Sequence, residues 1–563
     1  MTAPTLSPAM PWIEHYPHGL DWHDPVPQTA VFDMLSQAQK TYGDRPAFDF
    51  LGYRQSWSQI HGQALHFAKG LESLGVRKGT KVGICLPNCP YFVIAYYAIA
   101  RLGATVVNYN PLYAEAELAR MIEDSETDIM VTTDLEMLFS KTHKMLHDTR
   151  LGHIIICPFT DILPFPKNIL FKLIKGRELA NITPSKRISF YPDMLVNDGT
   201  PSDVQIIPHQ DIAVFQYTGG TTGTPKGAML THANVTANAY QCARWFRDAK
   251  SGQDKMVGVI PFFHVFAMTA VMNMSVVHGL EIIALPRFDL DATLKLIHKK
   301  KPQIFPAVPA IFNAINHHKK LSTFNLSSLK YCVSGGAPLP VEVKQSFESK
   351  TGASLVEGYG LTESAPVLCC NPPGGLNKPG SIGLPFPQTT IQIISTEDHE
   401  TVMKQGERGE LCARGPQVMA GYWNRADESA NVLRYGRLHT GDVAVMDEQG
   451  YFYIVDRIKD LIITNGYNVY PRHVEEAIYL HPSVEECIVA GLPDSQRGEI
   501  VKAWIKLKEG RQLSPEDLKM FLEDKISAIE MPKRFEFRDT PLPKTMIGKL
   551  SRKDVLAQEK QSS

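Results

Sequence analysis

An α/β fold, with a large N-terminal domain of two α/β lobes plus a β-rich subdomain and a small α+β C-terminal domain, is predicted by three features of the sequence. Short apolar runs alternate with helix-periodic segments in two separate stretches, the rhythm of a parallel, doubly wound sheet. Beyond about residue 380 the texture changes to short strands divided by Gly and charged turns. After Asp456 a compact α+β pattern takes over, which divides the 563 residues into 1–456 and 457–563.

The elements follow in order. TAVFDMLSQAQKTYG has helical spacing and stops at Gly43. KVGICLP is a buried strand, YFVIAYYAIARLG an apolar helix ended by Gly103, and TVVNYN and DIMVTT are further strands. After residue 211 the strands are IAVFQYT, MVGVIPFF, EIIAL, QIFPAV, YCVSGG and SLVEGYG, the basis for a second lobe. TTIQIIS, GELCARG and YFYIVDR supply the β-rich part. In the last segment LIITNG, ECIVAGL and EIVKAWIKLK are strands. One helix opens at Tyr470-Pro471, and another at Ser514, with Pro515 at its first position and Asp517 three residues after the cap.

Composition excludes several classes. With 44% hydrophobic and 21% charged residues the chain is neither disordered nor fibrous. Lys+Arg (58) and Asp+Glu (59) nearly cancel, so bulk charge gives no support to a nucleic-acid partner, and any anion site is local. Nine scattered Cys without CxxC spacing argue against a disulfide framework or zinc site and fit a reducing cytoplasm. No secretory signal and no apolar run of membrane-spanning length is visible.

Three loops carry chemistry. Tyr217-Thr218-Gly219-Gly220-Thr221-Thr222-Gly223-Thr224-Pro225-Lys226-Gly227 follows a strand. Its glycines admit backbone N–H groups close to an oxyanion, and its hydroxyls and Lys226 complete a polyphosphate cradle. It is not a Walker A loop, because Lys226 follows Pro225 and no Ser or Thr comes next. A flexible surface loop would share some of this pattern, but not four Thr, four Gly and a Lys in one strand-anchored run. Ser334-Gly335-Gly336-Ala337-Pro338 and Glu357-Gly358-Tyr359-Gly360-Leu361-Thr362-Glu363 also follow strands, where open α/β sheets bind ligands. Tyr359 suits stacking on a base, Thr362 a phosphate, and Glu363 a hard cation; tight turns with a solvated Glu are the plainer alternative.

In this order the three loops resemble the adenylate-forming superfamily of acyl-CoA synthetases. Leu438-His439-Thr440-Gly441-Asp442, Val455-Asp456-Arg457-Ile458-Lys459-Asp460, Gly466-Tyr467-Asn468-Val469-Tyr470-Pro471 and Pro543-Lys544-Thr545-Met546-Ile547-Gly548-Lys549-Leu550 extend the resemblance over roughly residues 30–555. Val107-Asn108-Tyr109-Asn110-Pro111-Leu112-Tyr113, Gln216-Tyr217, His264-Val265-Phe266-Ala267, Glu410-Leu411-Cys412 and Gly415-Pro416-Gln417-Val418-Met419 are most similar to bacterial-type long-chain fatty acyl-CoA synthetases. The resemblance implies that fatty acid and MgATP give acyl-AMP and pyrophosphate, and that CoA thiol then displaces AMP. A medium-chain or aryl acid, or a reaction that stops at acyl-AMP, is the alternative.

By the same resemblance the catalytic set is Lys549, His264 and Glu363. Lys549 would bridge two anions that must meet, the carboxylate and the α-phosphate. The ATP and AMP site would comprise Thr218 to Gly223, Lys226, Gly335, Gly336, Ala337, Glu357, Gly358, Tyr359, Gly360, Thr362, Asp442 at the ribose, Arg457 and Lys549. Mg²⁺ would sit by Thr218 and Glu363. Lys459 would be the hinge of a mobile C-terminal domain, Gly466 and Tyr467 would meet CoA, and Val265 and Met268 would line the acyl pocket. The chain departs from the family pattern in two places: Met268 stands where some relatives carry a Trp gate, and Ile529-Glu530 where close relatives usually carry Tyr-Lys.

Residues 162–190 have no place in this chemistry. Lys167, Lys172, Lys175, Arg177, Lys186 and Arg187 face one acid, Glu178, while Ile169, Leu170, Leu173 and Ile174 fall at helical spacing. A basic amphipathic helix lying on a membrane is expected, with peripheral attachment to its inner, cytoplasmic face. A surface helix packed on its own domain would share the pattern. A homodimer stays open.

Overall fold

In the computed structural model, which describes residues 10–218, 225–465, 467–494, 496–544 and 550–562, the chain is mixed α/β with four sheets. The first, of eight strands, holds Lys81–Ile84, Thr105–Asn108, Ile129–Thr133, His153–Cys157 and Ile188–Phe190 in parallel. The strand Ile212–Thr218 continues it, parallel to Thr105–Asn108, and Lys226–Thr231 turns back antiparallel beside it. The second sheet, of nine strands, holds Lys255–Gly258, Glu281–Ala284, Ile304–Ala307, Tyr331–Ser334 and Ser354–Gly360, again parallel.

Two lobes are therefore present, but they are not the two stretches of sequence. The hairpin Pro46–Phe50 and Tyr53–Ser56 belongs to the second sheet, where Phe48 pairs with Ile282. The strand before the Gly/Thr-rich loop belongs to the first, where Thr105 Oγ1 donates to the Ile212 carbonyl at 3.0 Å. Periodicity identifies a strand but not its neighbour, which the burial of both faces decides. Phe48 and Phe50 are wholly buried, as are Val106 and Val214.

Local chemistry explains the helix ends. Gly43 caps the helix Val31–Tyr42 at φ 29°. Thr231 caps His232–Trp245 by accepting from Asn234 N–H at 3.1 Å, and the Asn234 side chain donates at 2.8 Å to the carbonyls of both Pro416 and Val418. The helix Pro90–Arg101 is apolar on every side and correspondingly buried.

The third sheet is antiparallel: Thr390–Ile394, Gly409–Arg414, Arg437–Met446 and Phe452–Arg457. The fourth, Ile462–Thr464, Tyr467–Val469, Val484–Asp494, Gly498–Leu507 and Arg534–Arg538, is covered by the helices Pro471–Tyr479 and Pro515–Leu522 and has its own apolar core around Val474, Val489, Val501 and Leu518. Ser514 caps the latter helix by accepting from Asp517 N–H at 3.1 Å. Among the described residues no helix is long and apolar enough to cross a membrane.

The helix Lys167–Lys175 stands apart from this packing. None of its residues is buried. Leu173 and Ile174 are 76% and 77% exposed, as is Phe165 just before them at 78%. Phe171 turns inward, its ring 5.2 Å from that of Phe159, and Lys167 Nζ donates to the Leu51 carbonyl at 2.6 Å.

Candidate active site

A cleft of about 3240 Å³ runs between the ends of the strands and the C-terminal sheet. Thr218, Lys226, His264, Val265, Gly335, Gly336, Ala337, Glu357, Gly358, Tyr359, Gly360, Thr362, Glu363, Asp442, Arg457 and Lys459 all line it. The parallel strands deliver Thr218 and the loops 335–337 and 360–363 from their C-terminal ends, and the antiparallel third sheet adds Asp442 and Arg457 to the same cleft.

At the centre is Asp442. Its Oδ2 accepts from the Tyr359 hydroxyl at 2.6 Å and its Oδ1 from Arg457 Nε at 3.1 Å. Asp442 and Arg457 are register partners on adjacent strands, so the ladder itself sets the pair. Burial, and then Asp442, push the Tyr359 hydroxyl well above its usual range, so it remains a donor. Tyr359 is tied by its edge to the Asp442 carboxylate.

Glu357 lies one turn of the pleat deeper. Burial pushes its carboxyl up to about 7, with Arg472 from the C-terminal segment opposing. Its Oε1 accepts from Leu339 N–H at 3.2 Å. The neighbouring loop needs its glycines: Gly336 has φ 82°, and a Cβ on Gly335 would meet the Phe266 ring at 3.0 Å.

Glu363 is held by a residue the motifs did not single out. The Tyr422 hydroxyl donates to Glu363 Oε1 at 2.5 Å, and Met419 N–H donates to the Glu363 carbonyl at 2.8 Å. Lys226 lies over the Tyr422 ring, 5.4 Å from its centre, and pairs with Glu428. The sequence signal existed, since Gly421-Tyr422-Trp423 follows the motif ending at Met419 after Ala420 alone. Thr218 and Glu363 offer hydroxyl and carboxylate oxygens to the same cleft, a donor set that fits a hard divalent cation.

His264 opens the short helix Val265–Ala267 and accepts from Phe266 N–H through Nδ1 at 3.2 Å. Val265 faces the cleft. Met268 is wholly buried, its Sδ 3.6 Å from Asn108 Nδ2, while Ala270 and Met274 reach the cleft. Lys459 sits on the turn Ile458–Asp460; burial in the cleft and the nearby Arg457 lower its pKa. Beside it Arg552 donates to Asp460 at 3.0 Å and to Glu475 at 2.6 Å, and lies 3.9 Å from Asp456.

Several expected residues lie outside the described residues: Gly219, Gly220, Thr221, Thr222 and Gly223 of the phosphate loop, Gly466, and Lys549. Tyr467 opens a strand and is 62% exposed. Glu530 is engaged locally. It accepts from Ser527 N–H at 2.9 Å and the Ser527 hydroxyl at 2.7 Å, and pairs with His473 Nδ1 at 2.8 Å. Burial works against its charge, but these bonds hold its pKa below the usual value.

The sequence model of the AMP-binding enzyme matches residues 35–423, and that of the AMP-binding enzyme C-terminal domain matches residues 473–549. The chain belongs to the AMP-binding enzyme family. It is 46% identical over 552 residues to the long-chain-fatty-acid–CoA ligase of Bacillus subtilis (strain 168), covering 98% of each chain. It is 35% identical to the long-chain-fatty-acid–CoA ligase of Escherichia coli O157:H7, covering 97% of each. Among solved structures, ATP-bound MatB from Rhodopseudomonas palustris aligns with a TM-score of 0.81 at 25% identity, over 94% of this chain and 98% of that one. In this AMP-binding enzyme the C-terminal family segment begins at His473, beside Arg472, whose charge acts on Glu357.

Proposed function

We propose that this protein ligates a long-chain fatty acid to coenzyme A through an acyl-adenylate, at this one cleft. The observation that carries the reading is the Tyr359–Asp442–Arg457 cluster, in the same cleft as Glu363, in a chain so similar to named long-chain-fatty-acid–CoA ligases. In the first step a carboxylate oxygen of the fatty acid attacks the α-phosphorus of ATP, forming a C–O–P link as pyrophosphate leaves. In the second, the CoA sulfur attacks the acyl carbon, losing its proton, and AMP leaves with the C–O bond electrons.

Each residue has a task in this scheme. Asp442 accepts from the ribose hydroxyls, and Arg457 fixes that carboxylate and neutralises phosphate charge. Lys226 and the loop from Thr218 to Gly223 hold the departing pyrophosphate. Lys549 bridges the carboxylate and the α-phosphate, with His264 near the same phosphate. Mg²⁺, held by Glu363 with Thr218, would neutralise phosphate charge. Val265 lines the acyl path, with Met268 behind it. Residues 457–563 turn about Lys459 between the steps, which brings Gly466 and Tyr467 to CoA.

The helix Lys167–Lys175 serves as a peripheral foot on the inner face of the membrane. Its exposed Leu173 and Ile174, with Phe165, enter the acyl region while Lys172, Lys175 and Arg177 meet anionic headgroups. A substrate that partitions into bilayers is then collected where it resides.

The deciding experiment is pyrophosphate release over a panel of fatty and aryl acids, with thioester detection in the presence and absence of CoA. Release with long-chain acids and a CoA-dependent thioester are expected. Release only with aryl or short acids, or acyl-AMP that persists with CoA present, would overturn the reading.

A further inference from the structure

The turn that presents Asp442 is an interruption of a β-ladder. Glu410 is opposite Val443 and Cys412 is opposite His439, so Leu411 alone faces Thr440, Gly441 and Asp442. Two extra residues bulge out on one strand, and Gly441 at φ 73° makes the bend. A bulge leaves backbone groups without ladder partners, and in a buried place these must be satisfied by something else.

Glu410 does this. Its Oε1 accepts from Gly441 N–H at 3.0 Å, and its Oε2 accepts from His439 Nδ1 at 2.7 Å. Glu410 is 3% exposed and His439 5%. One carboxylate therefore grips the residue before the bulge and the residue at its apex. Thr440 completes the clamp, its hydroxyl donating to the Leu411 carbonyl at 2.7 Å and accepting from Asp442 N–H at 3.1 Å. Glu410, His439, Thr440 and Gly441 border the same cleft as Asp442, and the bonds among them fix the backbone from which Asp442 is presented.

We propose that Glu410 is a positioning residue for nucleotide recognition, which acts through Asp442 by holding the 440–442 bulge in its bent form. The proposal rests on the reading that Asp442 accepts from the ribose hydroxyls. A metal-binding role for the same atoms is less suited to the charges present. His399, Glu410 and His439 offer ligand atoms within 4.8 Å of one another, but the Arg434 guanidinium lies 4.0 Å from Glu410 and 3.5 Å from His439. A second cation there would be repelled.

The test compares ATP with 2′,3′-dideoxy-ATP, which lacks the hydroxyls that Asp442 would hold. The measured quantity is kcat/KM in pyrophosphate release for each nucleotide, together with KM for the fatty acid. The wild type should prefer ATP, and Asp442→Ala should erase the preference. Glu410→Ala should cut it by about tenfold, the worth of one charge-assisted hydrogen bond left unmade. Its KM for the fatty acid should move by less than about twofold, a change worth only about 0.4 kcal/mol. Glu410→Gln keeps an acceptor for Gly441 N–H and should retain the preference within about threefold.

A merely structural Glu410 would weaken both nucleotides equally, and that result overturns the proposal. If Asp442→Ala erases the preference while Glu410→Ala keeps it, this proposal alone fails. If Asp442→Ala keeps it, the ribose reading fails and this proposal with it. Should Glu410→Ala not fold, His439→Ala decides: it frees Oε2 and should lower the preference by about threefold, half the clamp being lost. Full retention in His439→Ala overturns the proposal in that case.

Discussion

Tyr422 and Glu363 share a 2.5 Å hydrogen bond in which the phenol donates and the carboxylate accepts. The two lie 59 residues apart in sequence, and the backbone adds a second tie from Met419 to the Glu363 carbonyl. Glu363 thus reaches the cleft already oriented. Burial, and then Glu363, raise the pKa of Tyr422, so the donor keeps its proton.

Tyr422→Phe should therefore lower Mg²⁺ affinity. Loss of a bond that orients a metal ligand typically costs about 10–100-fold in affinity. Pyrophosphate release titrated with Mg²⁺ at fixed ATP should show the midpoint shifting upward, with the rate at saturating Mg²⁺ much less affected. An unshifted midpoint would separate Tyr422 from the cation.

Lys549→Ala should remove adenylation by about 10²–10³-fold and spare the second step, because its charge is needed only where two anions meet. Supplied acyl-AMP should still give thioester with CoA. Pyrophosphate release at the wild-type rate would end the assignment.

Glu357 gives the chain a pH dependence of known sign. Its carboxyl ionises at about 7 in the fold against an ordinary 4.5, so the folded state holds the proton more tightly. That contribution is complete below about pH 4.5 and is lost as pH rises to about 7, amounting to at most about 3 kcal/mol. Arg472, Glu476 and Lys344 act on the same group, and Arg472 and Lys344 favour its charge. Glu357→Gln should flatten the fall in urea midpoint between pH 5 and pH 8. A variant that loses stability as steeply as the wild type would place the titration elsewhere.

Lys167, Lys172, Lys175 and Arg177 changed together to Glu should abolish co-sedimentation with anionic liposomes. Each cation near such a surface contributes about 1 kcal/mol. Turnover of detergent-dispersed fatty acid should be unchanged. Equal sedimentation of variant and wild type at low salt would exclude the membrane foot.

The strands and the loops that follow them were legible because apolar runs and Gly-rich turns are local signals. So were the helix starts at Tyr470-Pro471 and Ser514, where the cap residues lie within a few positions. What stayed hidden is long-range. Nothing local tells that Phe48 pairs with Ile282, or that Asn234 would hold the carbonyls of Pro416 and Val418. The loops bearing Tyr359 and Asp442 are both legible in the sequence, but the 2.6 Å bond joining them is not, because stacking on a base is as natural a use of a lone Tyr. In the sequence Glu410 is only one member of a motif. Its clamp depends on a register shift that becomes visible only when both strands are paired.

The hairpin Pro46–Ser56 has a consequence for how the chain is made. Phe48 meets Ile282 only after roughly 230 further residues have left the ribosome. At typical synthesis rates of about 5–20 residues per second, that is a wait of roughly 10–50 s. Throughout it, a strand whose Phe48 and Phe50 end wholly buried has no sheet to join. The nascent chain thus carries an apolar edge through nearly half of its translation. Slowed elongation between residues 56 and 282 should raise the demand for a chaperone that binds apolar strands, while slowing after Ala284 should leave that demand unchanged.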